Sequence, residues 1–465
     1  MDINGWLTVI SVFIAIVALL PREEQKLSIL SIGKFEIILV FSILTFIIPS
    51  VIYFPELSER CEFFKRIEVS WGLHPKNVSF LLFFIVFIWI IIRLIWLRPR
   101  LKDPNNQVIE YYKELLNDRP FEEFFKLFKK YVSSELVQNQ WQAFYSIIFH
   151  SRFLNNIFSY DPYYIFQFWN EFSDVQFKTV LRLLMENPNS PFYTEIKQHW
   201  NSYSLLPGKP LLSRILKINL KKSVRRGILP LVLDFSIRHL RSISDGIYNR
   251  PPYHSIIRGE EGFDLPVYYP IRFIGLLHSS AIERKIDVAG KGNMQSIYSQ
   301  IVELIVDNLR PNNDEEVTEY STNYHWLISE IFSLSSNWLQ IFSIDYFVEH
   351  SSYVDFIPFS MSLSLNELYK GNLKGKISQS FLNSIHHYHI LSKYFDFDLP
   401  EPMRESIENN IIKNIPGQKL RSILNFSLNE SFAINYDELL SENFHMQNIE
   451  EQELLLRLKR VLIEA

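Results

Sequence analysis

The stretch from Ile196 to Leu233 contains no acid and eight bases: Lys197, Lys209, Arg214, Lys217, Lys221, Lys222, Arg225 and Arg226. Arg214, Lys217, Lys221 and Arg225 are spaced 3, 4 and 4, so a helix over 211–226 gathers them on one face. Leu212, Ile215, Leu216 and Leu220 fall largely on the other side. Such a helix attracts anions. Near a bilayer it holds anionic lipid headgroups; elsewhere it suits a nucleotide, a nucleic-acid strand or an acidic partner. The competing reading is a solvated face whose charges pair with acids elsewhere in the fold.

A second cluster follows at 245–272. This stretch is rich in Pro and Gly, with Tyr248, Tyr253, Tyr268 and Tyr269 interleaved. Long irregular segments inside helical domains are uncommon and tend to be functional. Arg250, His254 and Arg258 are its anion-facing candidates; Glu260, Glu261 and Asp264 suit a cation or a partner. The plainer alternative is a structural loop tucked over the helices.

His386, His387 and His389, with Asp396 and Asp398 nearby, have metal-binding residue types. No HExxH motif, Cys pair or second His pair with metal-site spacing accompanies them, so no metal is assigned, and a surface or helix-end cluster is the expectation. Catalytic signatures are missing as well. The sequence has no GxxxxGK[ST], GxSxG or GxGxxG, and Gly290-Lys291-Gly292-Asn293 lacks the spacing of a phosphate loop. The single cysteine, Cys61, excludes an intramolecular disulfide and lies between apolar runs, a poor place for a nucleophile. No catalytic residue and no cofactor is expected, and the balance leans away from an enzyme.

The elements that carry these candidates fall into two regions. Ile3–Leu20, Ile37–Phe54 and Ser79–Leu97 are long apolar runs whose only charge is Arg93. As helices each spans ~27–29 Å, close to the ~30 Å hydrocarbon core of a bilayer. The first run has no basic n-region and no clear cleavage site, so it reads as retained. Three transmembrane helices over 1–102 are therefore expected. Counting Lys and Arg around the runs gives six on the body's side and four on the other, which orients the chain N-out with its large domain cytoplasmic, in an inner or plasma membrane. The segment 55–78 carries Leu57, Cys61, Phe64, Ile67 and Trp71 at helical spacing, a candidate surface-lying amphipathic helix.

Residues 103–465 read as a large helical array, solenoid-like or irregular, divided into 103–244, the loop 245–272, and 273–465. Gly is scarce (14) while Phe (38) and Tyr (23) are abundant, which favours packed helices over turn-rich β structure. Helix-start pairs occur at Asp103-Pro104, Arg119-Pro120, Asp161-Pro162 and Ser190-Pro191. Helical periodicity covers, among others, 134–149, 271–288, 323–339, 343–356, 376–394 and 449–463. No fixed repeat period and no alternating strand pattern is present. The net charge is +3 over 1–102 and −7 beyond, no basis for wholesale nucleic-acid binding.

The expected function is a membrane-anchored helical scaffold or sensor that binds a protein partner or an anionic ligand. By analogy alone, that architecture suits bacterial stress or phage defence. The alternatives are an oligomeric pore or membrane-disrupting effector, and a nucleotide- or lipid-directed enzyme centred on 209–272. The expected partners are a lipid bilayer, another protein, an anionic lipid or nucleotide, and further copies of the chain.

Overall fold

Every element in the computed structural model is helical, and no strand occurs among the described residues. The structure describes 22–30, most of 106–198, 228–242, 248–249, 265–283, 296–310, 322–344 and most of 353–464, with single residues elsewhere in the first hundred. The three apolar runs and the 55–78 segment lie almost wholly outside the described residues. Among those that are described, no helix is long and apolar enough to cross a membrane.

The chain divides into two compact units, 1–160 and 161–465. In the first, α1 (Arg22–Leu30) packs on α2 (Asn106–Asp118), followed by α3 (Phe121–Tyr131), α4 (Ser134–Asn139), α5 (Trp141–Ile148) and α6 (Ser151–Tyr160). The Phe121, Phe124, Phe125, Phe128 row forms the heart of this unit. Phe124 and Phe128 are buried, and Tyr112, Phe144 and Phe153 meet the row edge-on at 5.3–6.5 Å. That is the geometry aromatic quadrupoles prefer. The expected helix over 134–149 is two helices. Gln140, at φ −126, breaks the helical run between them. Ser133 caps α4 by accepting from the Leu136 N–H at 3.1 Å.

The second unit holds α7 (Asp174–Glu186), α8 (Pro191–Gln198), α9 (Ile228–Ser242), α10 (Tyr268–Glu283), α11 (Ile297–Asn308), α12 (Asn323–Ile344) and α13 (Tyr353–Leu373). After these come α14 (Gln379–His386), a π-helical turn (His387–Leu391), α15 (Glu401–Asn410), α16 (Gly417–Phe432), α17 (Tyr436–Leu440) and α18 (Ile449–Glu464). Helices stack on their next-but-one neighbours. One layer runs α7, α9, α11, α13, α15; the other runs α8, α10, α12, the π turn, α16.

The centre is α10, buried from Tyr268 through Ile282. It begins inside the stretch expected to be loop, because Pro270 sits in a first turn, where the missing N–H has no helical acceptor to lose. At Gly275 the backbones of α10 and α12 approach closely, since a Cβ there would stand 2.4 Å from Leu334 Cδ2. The Trp338 indole donates to the Gly275 carbonyl at 3.1 Å across the same contact. The single helix expected over 376–394 is interrupted by the π turn; of that expected over 343–356, only the end of α12 and the start of α13 are described, and 345–352 lie outside the described residues.

Candidate functional site

The anion-facing residues singled out from sequence, Arg214, Lys217, Lys221, Lys222, Arg225, Arg226, Arg250, His254 and Arg258, lie outside the described residues. Three of the four interleaved tyrosines are described, and all three are core. Tyr248 is buried and stacks on Tyr324 at 5.2 Å, with its carbonyl accepting from the Tyr324 N–H. Tyr268 packs against Trp326, and Tyr269 meets Tyr193 at 4.1 Å.

His386 and His387 are buried and His389 is half-buried, and the cluster does not converge. His386 Nε2 lies 2.8 Å from the Tyr369 hydroxyl on α13, whereas His389 Nε2 lies 3.3 Å from Ser329 Oγ on α12. His387 packs edge-on against Phe426. The π turn inserts an extra residue between the rings, so His386 and His389 serve different neighbours. A hydroxyl partner offsets part of the cost of burying His386, whereas the Nδ1 atoms of His386 and His387 are buried without a hydrogen-bond partner among the described residues. Asp396 turns back on its own chain, accepting from the Asp398 N–H at 3.1 Å. Among the described residues no three His, Cys, Asp or Glu side chains gather as a metal site.

The feature with the geometry of a binding site lies at the other end of the second unit. A groove of about 640 Å³ is lined by Glu401 and Arg404 of α15 and by Glu450, Glu453, Leu454, Arg457 and Arg460 of α18. Its sequence origin is simple. Glu450, Glu453, Arg457 and Arg460 are spaced 3, 4 and 3 and so share a stripe, while Leu454, Leu455, Leu458 and Val461 turn inward and are buried.

Arg457 is the structural member of this set. It pairs with Glu401, and its Nε donates to Glu408 Oε1 at 2.5 Å. The Tyr394 hydroxyl donates to the same Glu408 oxygen at 2.8 Å. The hydrogen bond to Glu408 holds the Arg457 guanidinium even more firmly protonated than usual. Burial, then the bond to Glu408, pushes the Tyr394 phenol far up.

The remaining groove charges are not consumed in this way. Arg404 spends one guanidinium nitrogen on the Asp396 carbonyl, and its Nε meets no acceptor. Arg460, Glu450 and Glu453 have no ion-pair partner among the described residues. The lining is three carboxylates, three guanidinium groups and one leucine, so the groove offers charge of both signs and shape. From sequence, 449–463 was expected only as a helix, and the stripe was missed. The signal was the 3, 4, 3 charge spacing opposite the leucines.

No protein-family model matches the chain, and no curated protein and no solved structure matches it either. The arrangement defines a class no finer than a body that is helical throughout its described residues, with a charge-lined groove.

Proposed function

We propose that this chain is a membrane-anchored helical scaffold whose body docks a segment of a partner protein in the groove between α15 and α18. The observation that carries this reading is the set of groove charges without an ion-pair partner among the described residues: Arg404 and Arg460 beside Glu450 and Glu453. Both signs are exposed side by side, so the complementary ligand is a mixed-charge peptide segment and not a simple anion. Next-but-one stacking of helices, as in the second unit, is how helical arrays build extended binding surfaces. The anchor rests on the three apolar runs in the sequence, each long enough for one bilayer crossing.

The test compares wild type with an R404E/R460E variant, both purified in detergent and weighed by native mass spectrometry. The expected result is a protein partner retained by wild type and lost from the variant, at unchanged helicity and thermal midpoint. Retention by both, or by neither, removes the groove from the function. Release of the chain from membranes by alkaline carbonate removes the anchor.

A further inference from the structure

The segment between the first and second apolar runs is not a bare connector. α1 is a nine-residue helix, REEQKLSIL, with a mostly polar composition. At ~1.5 Å per residue it is about 13 Å long, far short of a bilayer, so it belongs to a membrane-flanking segment. It is tied to α2 and its end by two ion pairs and one cation–π contact. Lys26 Nζ lies 3.4 Å from Glu114 and 4.1 Å from the centre of the Tyr111 ring. Arg119 pairs with Glu23 at 2.5 Å. Leu27 is buried to 2% exposure. On the body side, Arg152 reaches across from α6 to the carbonyls of Asn117 and Arg119, holding the end of α2 that receives Glu23. Burial, and next the charge of Glu23, raise the Tyr111 phenol.

Between α1 and α2 run residues 31–105, which contain the second and third apolar runs. Each crossing of a bilayer moves the chain to the opposite side. Side chains 2.5–4.1 Å apart cannot be separated by ~30 Å of hydrocarbon, so the number of crossings between them is even. We infer that α1 and the start of the helical body share one face of the membrane, that the chain crosses twice between them, and that the 55–78 segment faces the opposite compartment. This deepens the anchor proposed above and rests on the apolar runs being bilayer-spanning. It does not use the Lys and Arg count, in which the 55–78 segment pulls the other way. It also makes α1 the element through which the membrane segments grip the body.

Cys61 is the only cysteine and lies in 55–78, so the native chain carries its own probe. The full-length protein is expressed in cells and treated with a membrane-impermeant maleimide, before and after permeabilisation. Wild type reports on Cys61, and C61S/E59C gives a second position in the same segment. C61S/R22C and C61S/Q107C report on exposed positions of α1 and α2. The expected pattern is that R22C and Q107C react in the same condition, and Cys61 and E59C in the other. Reaction of R22C and Q107C from opposite sides overturns the inference while leaving the anchor intact. Reaction of the 55–78 positions from the same side as Q107C overturns the double crossing. Extraction of the chain by alkaline carbonate defeats the anchor itself, and the inference falls with it.

Discussion

Arg272 and Glu330 form an ion pair at 2.8 Å between α10 and α12, with the arginine side chain wholly inaccessible and the glutamate 14% exposed. Burial raises the Glu330 carboxyl against the pull of the guanidinium. A charge in such a place is tolerable only while its partner remains, because its water is gone. R272M is therefore expected to lose ~3–5 kcal/mol of stability, and R272M/E330L much less, since the double change leaves no charge stranded. Thermal and urea unfolding of the three proteins checks this. A single variant within ~1 kcal/mol of wild type would show the pair to be more solvated than its geometry states.

Four imidazoles in the second unit, three buried and His389 half-buried, face hydroxyl groups: His278 with Tyr353, His325 with Thr322, His386 with Tyr369, and His389 with Ser329. Burial holds His278 and His386 down to about 3, and His325 and His389 to about 4. In the unfolded chain the same rings take protons near pH ~6.5. The unfolded state therefore binds more protons below that pH. Stability is whole above ~6.5 and falls as pH drops toward 4, by up to ~1.4 kcal/mol per site per pH unit. Glu330, raised in the fold, works in the opposite sense and offsets part of the loss. Urea midpoints measured from pH 7 to 5 should decline steeply, and H386Q should reduce the slope by about one proton. A flat profile across that interval would mean that these rings are reached by water.

Ala433 closes α16 at φ 55 and ψ 32, the left-handed region, with its N–H donating to the Asn429 carbonyl at 3.1 Å. A side chain in that conformation is strained, and glycine is not. A433G should raise stability by ~0.5–1 kcal/mol. Gly375, at φ 67 in the turn after α13, is the mirror case, and G375A should lose a similar amount although open space surrounds it. Opposite shifts in thermal midpoint test both. Equal signs would defeat the backbone explanation.

The helical class was legible because periodicity and composition agree along most of the body. Rows such as Phe121, Phe124, Phe125 and Phe128 specify one buried face without further information. Element ends were less legible where a cap or a packing contact decides them. The break at Gln140 and the Ser173–Gln176 capping box, for example, depend on local hydrogen bonds that compete with periodicity. Two errors share one cause. Tyr268 and Tyr269 were expected in an irregular stretch, and His386 and His387 at the surface or a helix end, yet each is buried within a helical turn where aromatic packing outweighs the cost of the polar group. The α15–α18 groove depends on helices about 50 residues apart in sequence. Its charge stripe on α18 was readable, but which helix would face it was not.

The contact between α10 and α12 at Gly275 supplies a sharper test of packing. A Cβ on Gly275 would sit 2.4 Å from Leu334 Cδ2 and 3.0 Å from Cδ1, and Leu334 is fully buried. The leucine cannot swing clear without displacing its neighbours, so G275A should cost ~1–3 kcal/mol. L334A alone should cost ~2–5 kcal/mol through the cavity it leaves. In the double variant the new methyl enters that cavity, and the losses should fall short of their sum by ~1 kcal/mol or more. The Trp338 indole, bonded to the Gly275 carbonyl, gives an independent readout: its fluorescence should shift in G275A and return toward wild type in the double variant. Strict additivity, with no change at Trp338, would mean that α10 and α12 stand further apart than the Gly275–Leu334 contact requires.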